Sequence, residues 1–239
     1  MKIHRVNFEE LILFENQDYF LVNKPPFLST LEDRNDPVNL LLLAQTIEPQ
    51  AQVCHRLDKD TSGVLAIARN PEAYRHLSLQ FEQRTVSKVY HAVVDGNHRL
   101  DATLVDKPIL KLSDGTVRID KQGKEAQTHF STLEVFKRHS LIECRPITGR
   151  MHQIRIHLAF LKIPISGDET YGGQKFFLSS VKRGYNLKKN EEEEPFMKRM
   201  ALHAHSLSFN GLKGDRIEVS ATYPKDLAAL LKQLAHNLR

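Results

Sequence analysis

The chain has 239 residues, 41% hydrophobic and 26% charged, a balance that supports a packed core and excludes a disordered chain. No run approaches the ~20 apolar residues a membrane helix needs, and the N-terminus lacks a signal-peptide pattern. Two cysteines are too few for a disulfide framework in a chain this long, so a reducing cytoplasm is expected. The net charge of +5 permits a polyanionic partner without establishing one.

In chain order, residues 11–14 and 19–22 are apolar runs joined by Glu15-Asn16-Gln17-Asp18, which is turn chemistry, and they predict a β-hairpin. Asn23-Lys24-Pro25-Pro26 ends the second strand, because proline cannot donate to a ladder. Residues 38–47 have the apolar density of a buried helix, and 54–63 read as a polar loop leading into a short strand at 64–68. Asn70-Pro71 is a helix start, an N-cap followed by proline in the first turn, and the helix is expected to run to about Gln83. Strands follow at 89–94, 128–135 and 141–144, then a helix over 151–161 with Ile154, Leu158 and Leu161 on one face. Strands at 201–209 and 216–221 lead to a closing helix over 225–238. Irregularly interspersed helices favour an α+β fold on a mixed, largely antiparallel sheet over regular βαβ winding. The stretch 174–200, with four consecutive glutamates, predicts a solvated loop or exposed helix, and its acidic run is unsuited to phosphate.

The segment His55-Arg56-Leu57-Asp58-Lys59-Asp60-Thr61-Ser62-Gly63 is a carboxylate flanked by cations on a loop that closes in a Thr-Ser-Gly turn. Chemistry alone allows an Asx or Ser/Thr turn that caps the following strand. The segment also resembles the HRLDxxTSG signature of RluA-type RNA pseudouridine synthases. Further matches fall in the family's order: Asn23-Lys24-Pro25; Lys88-Val89-Tyr90-His91-Ala92; Gly123-Lys124-Glu125-Ala126-Gln127-Thr128; the block from Pro146 to His157; and Leu202-His203-Ala204. The resemblance spans roughly residues 11–224 and departs from the family pattern in length only before Leu202.

It implies a single catalytic domain over 1–239 with the pseudouridine synthase fold, no preceding S4-type RNA-binding domain, and a monomer. Such an enzyme breaks the N1–C1′ bond of uridine, turns the uracil and rejoins it through C5. The atoms balance, so no cofactor and no metal are implied. The resemblance makes Asp58 the catalytic carboxylate, Arg155 its partner cation and Tyr90 the ring that stacks on uracil and assists loss of the C5 proton. The uracil must leave its stack to react. Arg56 is implied to fill the vacated space, and His55 and Arg150 to contact RNA, either ribosomal or transfer RNA.

Two other classes compete. A metal-dependent hydrolase would draw on His55, Asp58, His152, His157, His203 and His205. On a helix, however, His152 and His157 are five apart and diverge by about 140°. A non-catalytic RNA-binding protein would suit the basic charge but has no need of Asp58 or Arg155.

Overall fold

The computed structural model describes residues 6–32, 37–182, 185 and 192–237. Along the chain run β1 (Ile12–Glu15), β2 (Tyr19–Lys24), α1 (Leu40–Gln45), β3 (Gln52–Val53), β4 (Ser62–Ala68), α2 (Pro71–Glu82), β5 (Ser87–Asp95), β6 (Thr103–Asp106), β7 (Ile109–Lys111) and β8 (Val117–Ile119). Then come β9 (Gln127–Val135), β10 (His139–Pro146), α3 (Gln153–Phe160), β11 (Leu202–Asn210), β12 (Arg216–Ser220) and α4 (Lys225–His236). The described chain forms two compact units. One holds residues up to Val89 together with His203–Thr222, and the other holds Tyr90–Leu202 and the segment from Tyr223 onward.

In the first unit β1, β2 and β4 pair antiparallel, with a register shift between Ile12 and Phe14 of β1, and β11 joins β4 in parallel through His203 opposite Ser62. That one parallel pair makes the sheet mixed. The hairpin turn is closed by Asn16, whose Oδ1 accepts the N–H groups of Asp18 (2.9 Å) and Tyr19 (2.8 Å). All seven residues of β4 are buried. α2 covers one face of the sheet through Ala73 and Leu77, which pack with Tyr19, Leu21, Val64, Ala66 and Phe209. Its start is set by Asn70, whose Oδ1 accepts the Ala73 N–H at 2.8 Å. α1 is shorter than the predicted span: Leu40 and Ala44 are buried, but Leu42 and Ile47 face solvent.

In the second unit the strand order is β5–β10–β9–β6, all antiparallel, with β7–β8 as a separate hairpin. Ile154 and Leu158 of α3 and Leu227, Leu230 and Leu234 of α4 pack against Ala92, Phe130, Ile142 and Cys144. Burying a leucine contributes roughly 2 kcal/mol, so helices this short hold by packing rather than propensity.

The described part of 174–200 is largely irregular with Glu192 and Glu194 exposed, as expected of a solvated loop, but its apolar residues are not exposed. Phe176, Met197 and Met200 join the core, and Phe176 and Phe196 meet edge to face at 5.9 Å. Buried Arg199 forks onto Asp226 at the start of α4, with Nε–Oδ2 at 2.7 Å and Nη2–Oδ1 at 3.0 Å. Apolar residues on either side of the glutamates tie the stretch down. Residues 183–184 and 186–191 lie outside the described residues.

Candidate active site

The loop that carries Asp58 runs alongside β4. It leaves β3 where Val53 pairs Ile67 and rejoins the sheet at Ser62, beside His203. Its backbone is held by buried side chains on both sides of Asp58. Thr30 Oγ1 donates to the Leu57 carbonyl (2.9 Å) and accepts the Leu57 N–H (3.2 Å). Lys24, 0% exposed, donates its ammonium protons to the carbonyls of Leu28 (2.7 Å), Pro25 (3.0 Å) and Lys59 (3.1 Å). The Lys59 carbonyl also accepts from Phe27 N at 2.9 Å, and the Asp58 carbonyl accepts from Thr61 N at 3.0 Å. A buried ammonium is tolerated only when its protons find acceptors, and these carbonyls supply them.

The exit of the loop is equally constrained. His203 is fully buried, its Nδ1 within 2.9 Å of Ser62 Oγ and its Nε2 within 3.2 Å of the Ala221 carbonyl. Nε2 must donate to the carbonyl, so Nδ1 accepts the serine proton. Gly63 has φ +117°, and a Cβ there would lie 2.1 Å from the Ala204 carbonyl oxygen.

His55, expected to touch RNA, is engaged inside the protein. Its Nε2 accepts the Ala66 N–H at 3.0 Å, and its ring lies 4.7 Å from that of Phe81. Ala66 falls in the gap where β4 has passed β11 and not yet met β3, so the imidazole stands in for a strand carbonyl. Burial, aided by the Lys88 cation, pushes its pKa down to about 3. Burial in turn pushes Lys88 down to about 8, with Arg84 adding to it. Arg56 is exposed and Asp58 half-buried.

In the second unit Tyr90 lies half-buried on β5, opposite Cys144 of β10. Arg150 and Arg155 flank the start of α3, which a polar network positions. Gln153 Oε1 accepts from Thr148 Oγ1 (2.7 Å) and from Arg150 N (2.9 Å), while its Nε2 donates to the Gln127 carbonyl and to Thr128 Oγ1, both at 2.9 Å. Thr128 donates in turn to His157 Nδ1 (2.9 Å), whose Nε2 donates to the Lys107 carbonyl (3.0 Å). Burial keeps that imidazole below its ordinary pKa. The two motif blocks around Thr128 and Gln153 are thus one network. Arg150 Nε donates to the Glu125 carbonyl at 2.9 Å.

Arg155 forks onto Asp168, with Nε–Oδ2 and Nη2–Oδ1 both at 2.7 Å. Its guanidinium carbon lies 4.9 Å from the centre of the Tyr171 ring. Tyr171 Oη accepts from Val117 N (3.1 Å) and sits 2.8 Å from His152 Nδ1. Sequence reasoning missed Asp168 and Tyr171. The available signal was the Gly167-Asp168…Tyr171-Gly172-Gly173 pattern, whose glycines mark a tight turn.

Among the described residues no group of three His, Cys, Asp or Glu could hold a metal ion. Nor is any helix among them long and apolar enough to cross a membrane. A cavity of about 380 Å³ bordered by Glu9, Ile12, Glu15, Phe20, Ile47 and Arg69 shares no residue with the Asp58 loop, and its two carboxylates suit no phosphate.

The α+β fold on a mixed, largely antiparallel sheet is shared with solved pseudouridylate synthase domains. Human RNA Pseudouridylate Synthase Domain Containing 1 superposes with a TM-score of 0.71 at 27% identity, covering 99% of this chain and 98% of that one. Human RNA Pseudouridylate Synthase Domain Containing 4 shares the fold with a TM-score of 0.71 at 24% identity, covering 95% of each chain. Residues 18–160 match the RNA pseudouridylate synthase family, and the chain belongs to it: it is a pseudouridine synthase of the RluA type, an isomerase acting on RNA. It is 32% identical over 236 residues to ribosomal large subunit pseudouridine synthase C of Vibrio parahaemolyticus, covering 96% of this chain and 71% of the relative. It is 37% identical over 235 residues to ribosomal large subunit pseudouridine synthase D of Xanthomonas campestris pv. campestris, covering 93% of this chain and 69% of the relative.

Proposed function

We propose that this enzyme converts uridine to pseudouridine in ribosomal RNA, as a cytoplasmic monomer without cofactor or metal, with Asp58 as the catalytic carboxylate. The relatives named for the large ribosomal subunit support ribosomal over transfer RNA as the target. One observation carries the role of Asp58: the peptide units on both sides of it are held by buried side chains, Thr30 on Leu57 and Lys24 on Lys59. A carboxylate whose backbone is fixed this firmly reaches its target without reorganising, which is what a reacting group needs.

In the reaction the N1–C1′ bond breaks, the uracil turns, C5 bonds to C1′, the C5 proton leaves and N1 gains one. No electron is gained or lost overall. Arg155 supplies the cation that keeps the carboxylate ionised. Tyr90 stacks on the uracil and assists loss of the C5 proton. Arg56 and Arg150 contact RNA, with Arg56 filling the space the uridine leaves. His55, bonded to Ala66, acts on the loop rather than on RNA.

The test is Asp58→Asn, which keeps the side chain's size but removes its charge and nucleophilic oxygen. RNA binding within about tenfold of wild type with turnover below detection is expected. Turnover near wild type would refute the assignment. Mapping pseudouridines in ribosomal and transfer RNA from cells lacking the gene identifies the target, and missing sites confined to transfer RNA would refute the ribosomal reading.

A further inference from the structure

Arg155 sits within the second unit in a setting more constrained than a cation needs merely to be present. The Asp168 side chain is only 2% exposed and that of Arg155 11%. Two parallel bonds of 2.7 Å fix the plane of the guanidinium, and the Tyr171 ring backs that plane at 4.9 Å.

The supports are themselves fixed. Asp168 N donates to the Ile165 carbonyl (3.0 Å), and the Asp168 carbonyl accepts from Gly173 N (2.9 Å) and Tyr171 N (3.1 Å). A Cβ on Gly173 would fall 1.9 Å from the Ile165 oxygen, so this turn admits no larger residue. Tyr171 is tied through its hydroxyl to the backbone of β8 and to His152, immediately before α3. Arg155 therefore sits on a platform assembled from the 165–173 turn, β8 and the N-terminus of its own helix.

We infer that Asp168 and Tyr171 are positioning residues for catalysis, setting the direction in which Arg155 presents its remaining N–H groups to the reacting centre. The inference rests on the proposed catalytic role of Arg155. Five guanidinium N–H groups in a rigid fork are directed as a unit once two are fixed, which a lysine ammonium cannot reproduce. The rival explanation is a brace between α3 and the 165–173 turn. A buried ion pair is a poor means of adding stability, because desolvation cancels most of its attraction. The geometry is suited instead to holding a charge in one orientation.

The experiment is a double-mutant cycle on the full chain. Asp168→Asn is made in wild type and in Arg155→Lys, which keeps a cation but lacks the fork. Single-turnover rates and RNA dissociation constants are measured at equal folded fraction, checked by circular dichroism. Asp168→Asn is expected to slow the chemical step at least about tenfold, with RNA affinity changed by less than about threefold. In the Arg155→Lys background the same change should cost less than about twofold. Rates within about twofold of wild type for Asp168→Asn, or an equal loss in both backgrounds, would overturn the inference. If Arg155→Ala keeps near-normal turnover, the role of Arg155 falls and this inference with it. Loss in Arg155→Ala but not in Asp168→Asn overturns this inference alone. Should Asp168→Asn fail to fold, Tyr171→Leu leaves the ion pair intact and removes the backing ring. A several-fold loss of rate confined to the wild-type background supports the positioning role, and no loss contradicts it.

Discussion

Thr30→Val isolates the tether that holds the Asp58 loop. Valine keeps the shape of threonine and replaces the hydroxyl by a methyl group. The Thr30 oxygen both donates to the Leu57 carbonyl (2.9 Å) and accepts the Leu57 N–H (3.2 Å), and both residues are buried. Neither backbone group can turn to water without moving the loop. Leaving a buried polar group unpaired costs about 1–3 kcal/mol, so the two together cost about 2–4 kcal/mol after partial relaxation. Thr30→Ser is the control. It keeps the oxygen and loses one methyl, for about 1 kcal/mol. Urea unfolding followed by circular dichroism gives the stability change, and release of tritium from 5-tritiated uridine RNA gives the rate. Thr30→Val should be the less stable of the two and should lose at least about tenfold in turnover, because the residue before Asp58 is no longer anchored. A stability change under about 0.5 kcal/mol for Thr30→Val, or a serine variant as damaged as the valine one, would refute the reasoning.

Acid should destabilise the fold before the carboxylates titrate. The His55 pKa is held at about 3 in the folded chain and rises to near 6.5 on unfolding, so the unfolded state binds more protons between those values. The stability held by the neutral imidazole is complete above pH ~6.5 and is lost as pH drops toward 3; by pH 5 about 2 kcal/mol of it has gone, and His139 and His157 are shifted the same way. Thermal melts from pH 7.5 to 4.5 check it, and His55→Gln, which can still accept the Ala66 N–H, should flatten the acid limb; an unchanged limb would show that His55 is not the group responsible. Gly63→Ala should abolish folding of the first unit or cost several kcal/mol, since the new Cβ meets the Ala204 carbonyl at 2.1 Å and φ is +117°. A soluble variant with a wild-type melt would contradict that backbone geometry.

The elements that could be read from sequence are those whose boundaries are written locally. Asn16 closes the first hairpin and Asn70 starts α2 with hydrogen bonds spanning at most three residues, so composition alone located them. β9, β10, β11, β12 and α4 fall within a few residues of expectation because their apolar patterns are long enough to show. β6, β7 and β8, of three or four residues each, went unread. Asp114-Gly115 between two apolar runs was a usable hairpin signal, and Asp114 Oδ1 accepts the Thr116 N–H at 2.8 Å. The stretch before Leu202 misled because its glutamates dominate the composition while Phe176, Met197, Arg199 and Met200 do the packing. The same distinction separates what the motifs revealed of the site from what they hid. Asp58, Tyr90 and Arg155 could be named from the pattern, but the partners that hold the site in place are distant in sequence: Thr30 is 27 residues from Leu57, Lys24 is 35 from Lys59, and Ser62 is 141 from His203. No local periodicity encodes such pairs.

That separation accounts for why the loop motif is so much longer than its chemistry. One carboxylate is needed, yet in the His55–Gly63 segment the imidazole of His55 fills a gap beside β4, and the Leu57 backbone is clamped by Thr30. The Lys59 carbonyl receives a buried ammonium, Ser62 donates to His203, and Gly63 allows the close approach of Ala204. Much of the motif therefore specifies a backbone path, along which Asp58 is the proposed reacting group and Arg56 the proposed RNA contact. Substitutions along the loop should accordingly fall into two kinds that different assays separate. Those at His55, Ser62 or Gly63 act through the melt and carry turnover down with it, whereas those at Asp58 or Arg56 leave the melt in place and change the reaction.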